Sequence, residues 1–162
     1  MATPKGRPED QRLSLPLIMQ RSWERPKTRD WEDVLRALPL FANLSARHVR
    51  QVAKLAEFVE FSPGDFIVQV GEPGYAFYLI LSGNAKVLGR PRARTLSPGD
   101  FFGEMALIDG EPRSATVTAS SDVHAMRLSR KPFLRLLEQE PRIALTILAE
   151  LASRVRRLEG SA

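Results

Sequence analysis

Apolar positions along the chain change their period twice. Between residues 31 and 56 they recur every three or four residues: Val34, Leu35 and Leu38, then Val49, Val52, Ala53, Leu55 and Ala56. That spacing collects them on one face of a helix. Asp30 is placed to cap the first helix and Pro39 to stop it, while Ser45 is placed to cap the second. Beyond Glu57 the period shortens toward two, and 58–61, 66–70, 77–81, 85–88, 116–119 and 123–128 read as short strands. Turn-forming clusters separate them: Ser62-Pro63-Gly64-Asp65, Gly71-Glu72-Pro73-Gly74, Ser82-Gly83-Asn84 and Ser97-Pro98-Gly99-Asp100. Helical spacing then returns. Ser129 is placed to cap a helix over 132–138, and Pro141 opens a longer one reaching about 159.

The fold class this pattern predicts is mainly β with flanking α. It is an antiparallel, jelly-roll-like β roll with N-terminal helices and a C-terminal helix pair. In the last helix Ala144, Leu148, Leu151, Val155 and Leu158 are spaced four and three apart, a heptad-like seam. It faces either its own roll or a second copy of the chain.

Composition narrows the function classes. A chain of 162 residues with 43% hydrophobic content is one domain with an appendage at most. With no cysteine there are no disulfides, thiolate metal sites, iron–sulfur clusters or thiol nucleophiles. The net charge is +5, and 19 of the 24 basic residues are arginine, the side chain suited to planar recognition of phosphate. These charges are spread, without a basic run or interleaved aromatics, so a solvated surface explains most of them better than a nucleic-acid face does. Residues 1–29 combine Pro4, Pro8, Pro16 and Pro26 with seven basic residues and form an expected flexible basic arm; 30–162 form the folded domain. The apolar stretch 13–19 is short and interrupted by Ser14 and Pro16, which is not a signal peptide pattern. No run approaches the ~20 apolar residues of a membrane span. The expectation is a soluble, cytoplasmic chain without membrane contact.

The chemistry concentrates between Phe101 and Val117. Gly103 allows backbone to approach a ligand closely. Glu104 to Leu107 favour a helical turn that Asp109-Gly110 would end, and its leading amides would attract an anion. Arg113 can give one phosphate two hydrogen bonds. Ser114 adds a hydroxyl and Ala115 leaves space. Glu104 would repel a phosphate, but it suits a neutral hydroxyl such as that of a ribose. An anion beside a sugar hydroxyl is the outline of a nucleotide.

The segments Phe102-Gly103-Glu104-Met105-Ala106-Leu107 and Pro112-Arg113-Ser114-Ala115-Thr116-Val117 resemble the phosphate-binding cassette of cyclic-nucleotide-binding domains. That family includes the bacterial catabolite activator protein, the regulatory subunits of cAMP-dependent protein kinase and cyclic-nucleotide-gated channels. The resemblance covers roughly 31–159 and includes Pro39-Leu40-Phe41, the Pro-Gly-Asp corners and the closing helices. It implies that Arg113 holds the phosphate oxygens, Glu104 the ribose 2′-OH, and the amides from Gly103 to Ala106 the rest of the cradle. Phe102 and Met105 belong to the cassette, with Ser114 and Ala115 beside phosphate and base. Ser114 points to cAMP, with cGMP as the alternative ligand. The family usually caps the purine from its last helix, often with an aromatic residue, and none stands there. Leu151, Val155 and Leu158 are the apolar candidates for that cap. Arg154 could lie over the base, although a solvated helix end is the stronger expectation for each arginine there.

No catalytic constellation appears. His48 is expected to be exposed on its helix, and His124 sits alone on a strand, so neither a metal site nor a Ser–His–Asp arrangement forms. The expected function is regulatory, without enzymatic activity or cofactor: a cyclic nucleotide moves the C-terminal helices, which signal to a separate protein partner, with the seam available for a homodimer. Two alternatives are the sensing part of a catabolite-activator-type transcription regulator and a member of the fold that binds nothing. Because the sequence stops soon after the long helix, DNA binding is not expected.

Overall fold

A computed structural model describes residues 30–89 and 93–160. The arm expected at 1–29 lies outside the described residues. Two helices, α1 (Asp30–Arg36) and α2 (Ala46–Leu55), lead into the strands β1 (Glu57–Phe61), β2 (Phe66–Val68), β3 (Ala76–Ser82), β4 (Ala85–Leu88), β5 (Arg94–Leu96) and β6 (Phe101–Phe102). A short helix α3 (Glu104–Asp109) precedes β7 (Thr116–Ala119) and β8 (Val123–Ser129), and α4 (Arg130–Gln139) and α5 (Pro141–Glu159) close the chain.

The strands form two antiparallel four-stranded sheets, ordered β1-β8-β3-β6 and β2-β7-β4-β5. Strand β3 is apolar at almost every position because both its faces are covered. Phe77, Leu79 and Leu81 join the helices, packing with Leu35, Phe41, Phe133 and Ile147. Their neighbours Ala76, Tyr78 and Ile80 point into the roll, where Val117, Ala119 and Leu96 come from the opposing sheet. Each fully buried Leu or Phe contributes about 1.5–3 kcal/mol to holding these layers together. The repeated Ser-Pro-Gly-Asp corners share one device. In each, the aspartate carboxylate accepts from the serine amide three residues earlier, Ser62 N to Asp65 at 2.8 Å and Ser97 N to Asp100 at 2.9 Å.

Several local expectations shift. Asp30 begins α1 rather than preceding it. Strand β2 stops at Val68 because its register with β7 slips there, and the Val70 amide instead donates to Thr116 Oγ1 at 3.0 Å. β5 and β6, of three and two residues, are too short to show a period in sequence. Ser45 does cap α2, accepting from the His48 amide, whereas Ser129 stands at the start of α4 without a side-chain cap bond. His48 is half-buried and pairs with Glu140 at the α4–α5 junction, contrary to its expected exposure. Along α5, Leu151 packs on the core while Leu148, Val155 and Leu158 are exposed, so the seam is split between two environments. Among the described residues no helix is long and apolar enough to cross a membrane, and no group of three potential metal ligands occurs.

Candidate functional site

Burying a charge is costly unless it is paired and hydrogen-bonded, so buried charges mark places where the fold is organised around them. Among the described residues two charged side chains are buried, Glu104 and Arg113. They flank the single connection from β6 to β7 that contains α3.

Arg113 is held by backbone. Its Nη1 donates to the Gly103 carbonyl at 2.9 Å and its Nη2 to the Ala76 carbonyl at 2.7 Å. The main chain of Arg113 is fixed as well: its amide donates to Glu72 O at 2.8 Å, and its carbonyl accepts from Gly71 N at 2.9 Å. The β2–β3 loop is thereby stitched to the strand-side end of the connection. Gly103 has φ of 88°, and a Cβ there would stand 2.6 Å from Arg113 Nη1 and 2.8 Å from Ala76 O. Gly74 is excluded from carrying a side chain by Ala106, with the Arg113 guanidinium at 3.3 Å from the same point. Both glycines are there because backbone and guanidinium share the space. Burial lowers the Arg113 pKa, and Tyr78, Glu104 and Glu72 work in the opposite direction. An arginine remains cationic throughout the working pH range.

The two carbonyl bonds use two of the five guanidinium N–H groups. Arg113 also lines a cavity of about 320 Å³ whose other polar walls are Glu72, Tyr75, Tyr78, Arg127 and Ser129. Glu104 does not line it. That carboxylate is fully buried, and its Oε1 accepts from Arg154 Nη1 of α5 at 2.5 Å. Its Oε2 is also buried and has no hydrogen-bond partner. Buried acceptors without partners are rare, and each calls for an explanation.

Glu104 and Arg113, expected in one site, lie in the same connection and within range for the carboxylate to act on the guanidinium charge, but Arg113 lines the cavity and Glu104 does not. The fold does not join them in a salt bridge: Glu104 bonds Arg154, and Arg113 bonds two carbonyls. Phe102 is buried and stacks on Tyr78 at a centroid distance of 5.1 Å, forming a wall of the roll interior. Ala106 is buried, Ala115 half-buried and Met105 exposed, with Ser114 Oγ 3.9 Å from the Met105 sulfur. Arg154 corrects the expectation of a solvated side chain, because α5 turns it inward onto Glu104 with a side-chain exposure of 21%. Of the apolar cap candidates, Leu151 packs on the helix-covered core, and Val155 and Leu158 are exposed. Sequence reasoning missed Arg94 and Glu150, whose carboxylate joins Arg94 and Arg154. Nothing in their local sequence marks them, since β5 and α5 meet only in the tertiary fold.

A family model described as the cyclic nucleotide-binding domain matches residues 58–140. The cAMP-dependent protein kinase regulatory subunit of Colletotrichum orbiculare is 36% identical over 124 residues, covering 75% of this chain and 31% of that protein. A cyclic nucleotide-gated potassium channel of Mesorhizobium japonicum is 37% identical over 116 residues, covering 72% of this chain and 32% of the channel. The chain therefore spans about a third of the length of these relatives. Among solved structures, the second cyclic-nucleotide-binding domain of a protein kinase A regulatory subunit, bound to Sp-2Cl-cAMPS, superposes with a TM-score of 0.72 at 28% identity. That match covers 82% of this chain and 92% of the other.

Proposed function

The chain belongs to the cyclic nucleotide-binding domain family, and from that membership we propose that it is a regulatory sensor of cAMP, with cGMP as the lesser ligand. The observation that carries the reading is the buried, unpartnered Oε2 of Glu104 in the same short connection as Arg113. An acceptor without a donor calls for a ligand hydroxyl, and a buried guanidinium with N–H groups in reserve calls for an anion. A cyclic nucleotide supplies one of each, a ribose 2′-OH and a singly charged phosphate. In this reading Arg113 binds the phosphate with help from the leading amides of α3, and Glu104 Oε2 accepts from the 2′-OH. Arg154 stays on Oε1 and brings α5 over the site.

The domain performs no bond-making step. Its output is mechanical: nucleotide draws the cassette toward α5 and shifts the balance between open and closed positions of α4 and α5. The regulatory subunits and channel among its relatives support a protein partner as receiver. The exposed Leu148, Val155 and Leu158 on α5 offer that partner, or a second copy of the chain, an apolar surface. A cytoplasmic location fits this role.

Calorimetric titration tests the reading. The protein is expected to bind cAMP more tightly than cGMP, and Arg113→Ala to abolish the heat of binding at the same concentrations. Absence of binding to either nucleotide would replace the sensor with a closed domain whose Glu104 is plugged by its own Arg154.

A further inference from the structure

One carboxylate on α5 gathers three guanidinium groups. Glu150 Oε1 accepts from Arg94 Nη1 of β5 at 3.1 Å and from Arg154 Nε at 3.3 Å, and Arg157 Nη2 stands 3.5 Å away. Arg154 gives its Nη1 to Glu104. A continuous line of charge, Arg94–Glu150–Arg154–Glu104, thus runs from β5 across α5 to the first residue of α3. On a chain of net charge +5 such crowding of cations needs a cause.

Like charges at this range repel, and the repulsion is visible on Arg94. Burial lowers its pKa most, Arg154 and Arg157 lower it further, and Glu150 opposes them. Glu150 itself is raised by burial, but bonds and charge from Arg154 and Arg94 outweigh that and leave it below the ordinary carboxylate range. Isolated surface ion pairs contribute little because water competes for both partners. Here the exposures are 36% for Arg94, 33% for Glu150 and 21% for Arg154, and one carboxylate serves the others in common. Without Glu150, Arg94 and Arg154 would be unscreened neighbours, and one of them would have to leave.

We propose that Glu150 is a positioning residue that straps α5 to β5 through Arg94 and fixes the Arg154 guanidinium so that Nη1 meets Glu104. Two consequences follow. The strap biases α5 toward its docked position on β5. The strap also sets how firmly Arg154 can hold Glu104 Oε1 while Oε2 remains for the ligand. The second consequence rests on the function proposed above, whereas the first does not.

Amide hydrogen exchange along α5 in the ligand-free protein tests the strap alone. Glu150→Gln should raise exchange ~5-fold and Arg94→Gln by less, and the double variant should add nothing to Glu150→Gln, because the Arg94 bond is already broken there. About 1 M salt should reproduce the effect in the unmodified chain. Additive effects, or unchanged exchange in both singles, would overturn the strap. Titration with cAMP tests the action through Arg154. Glu150→Gln should weaken binding several-fold in the natural background and leave it unchanged in an Arg154→Gln background. Equal losses in the two backgrounds would show that Glu150 does not act through Arg154. If the natural chain fails to bind cAMP, the functional reading falls while the exchange result still decides the strap.

Discussion

The two buried charges of the β6–β7 connection are held in different ways. Arg113 is locked by bonds to backbone at Gly103 and Ala76 and by its own main chain at Gly71 and Glu72. Glu104 depends on a side chain from a distant helix, and that side chain is also held by Glu150. Backbone carbonyls inside a roll have nowhere else to go, so the first arrangement is preorganised. Long arginine side chains on an outer helix have many alternatives, so the second can open and close. In the function proposed above, the difference gives the site a fixed wall at Arg113 and a movable one at Glu104, as a sensor requires.

Variants should separate the two walls. Arg113→Ala is expected to have the largest effect, costing about 2 kcal/mol or more of binding, over ~30-fold, since it leaves a buried phosphate unpaired. Calorimetry reads that loss. Gly103→Ala should come next: it places a side chain at φ 88° and against Arg113 and Ala76 O. It should cost at least ~1 kcal/mol in stability, seen as a lower melting temperature, together with weakened binding. Arg154→Gln, on the movable wall, should weaken binding about 10-fold, lower the melting temperature by leaving the buried Glu104 carboxylate without its countercharge, and raise exchange along α5, which Gly103→Ala leaves unchanged. Equal exchange along α5 in these two variants would erase the distinction between the walls.

Acid offers a gentler probe of the movable wall. The Glu150 pKa is lowered in the folded state, so its contribution is complete above the ordinary value of 4.5 and is lost as pH falls through the lowered pKa. Exchange along α5 should therefore rise below that pH while amides near Arg113 keep their protection. Smallest of all, Leu148→Ala should leave stability within ~0.5 kcal/mol, because that side chain is exposed. A change in sedimentation of this variant would reveal a second copy on α5.

The contrast between the walls also decides what could be read from sequence. The fixed wall is local: Gly103 and Arg113 lie in one short connection, and the glycine and arginine requirements there follow from residue types. The helical periods of α2 and α5 and the continuous apolar run of β3 were legible for the same reason. The movable wall is tertiary. Arg154 looked like a solvated residue at a helix end because its partner lies on α3. Arg94 sits on a three-residue strand with no periodic signal, and it meets Glu150 only once the roll has closed. His48 looked exposed because Glu140 reaches it from the junction of α4 and α5.

The central claim is that Glu104 Oε2 is kept vacant for a sugar hydroxyl. The most direct measurement compares cAMP with 2′-deoxy-cAMP on the natural protein and on Glu104→Ala. Removing the hydroxyl should weaken binding to the natural protein about 10-fold or more and make no difference to the variant. Equal affinity of the natural protein for the two ligands would contradict the account.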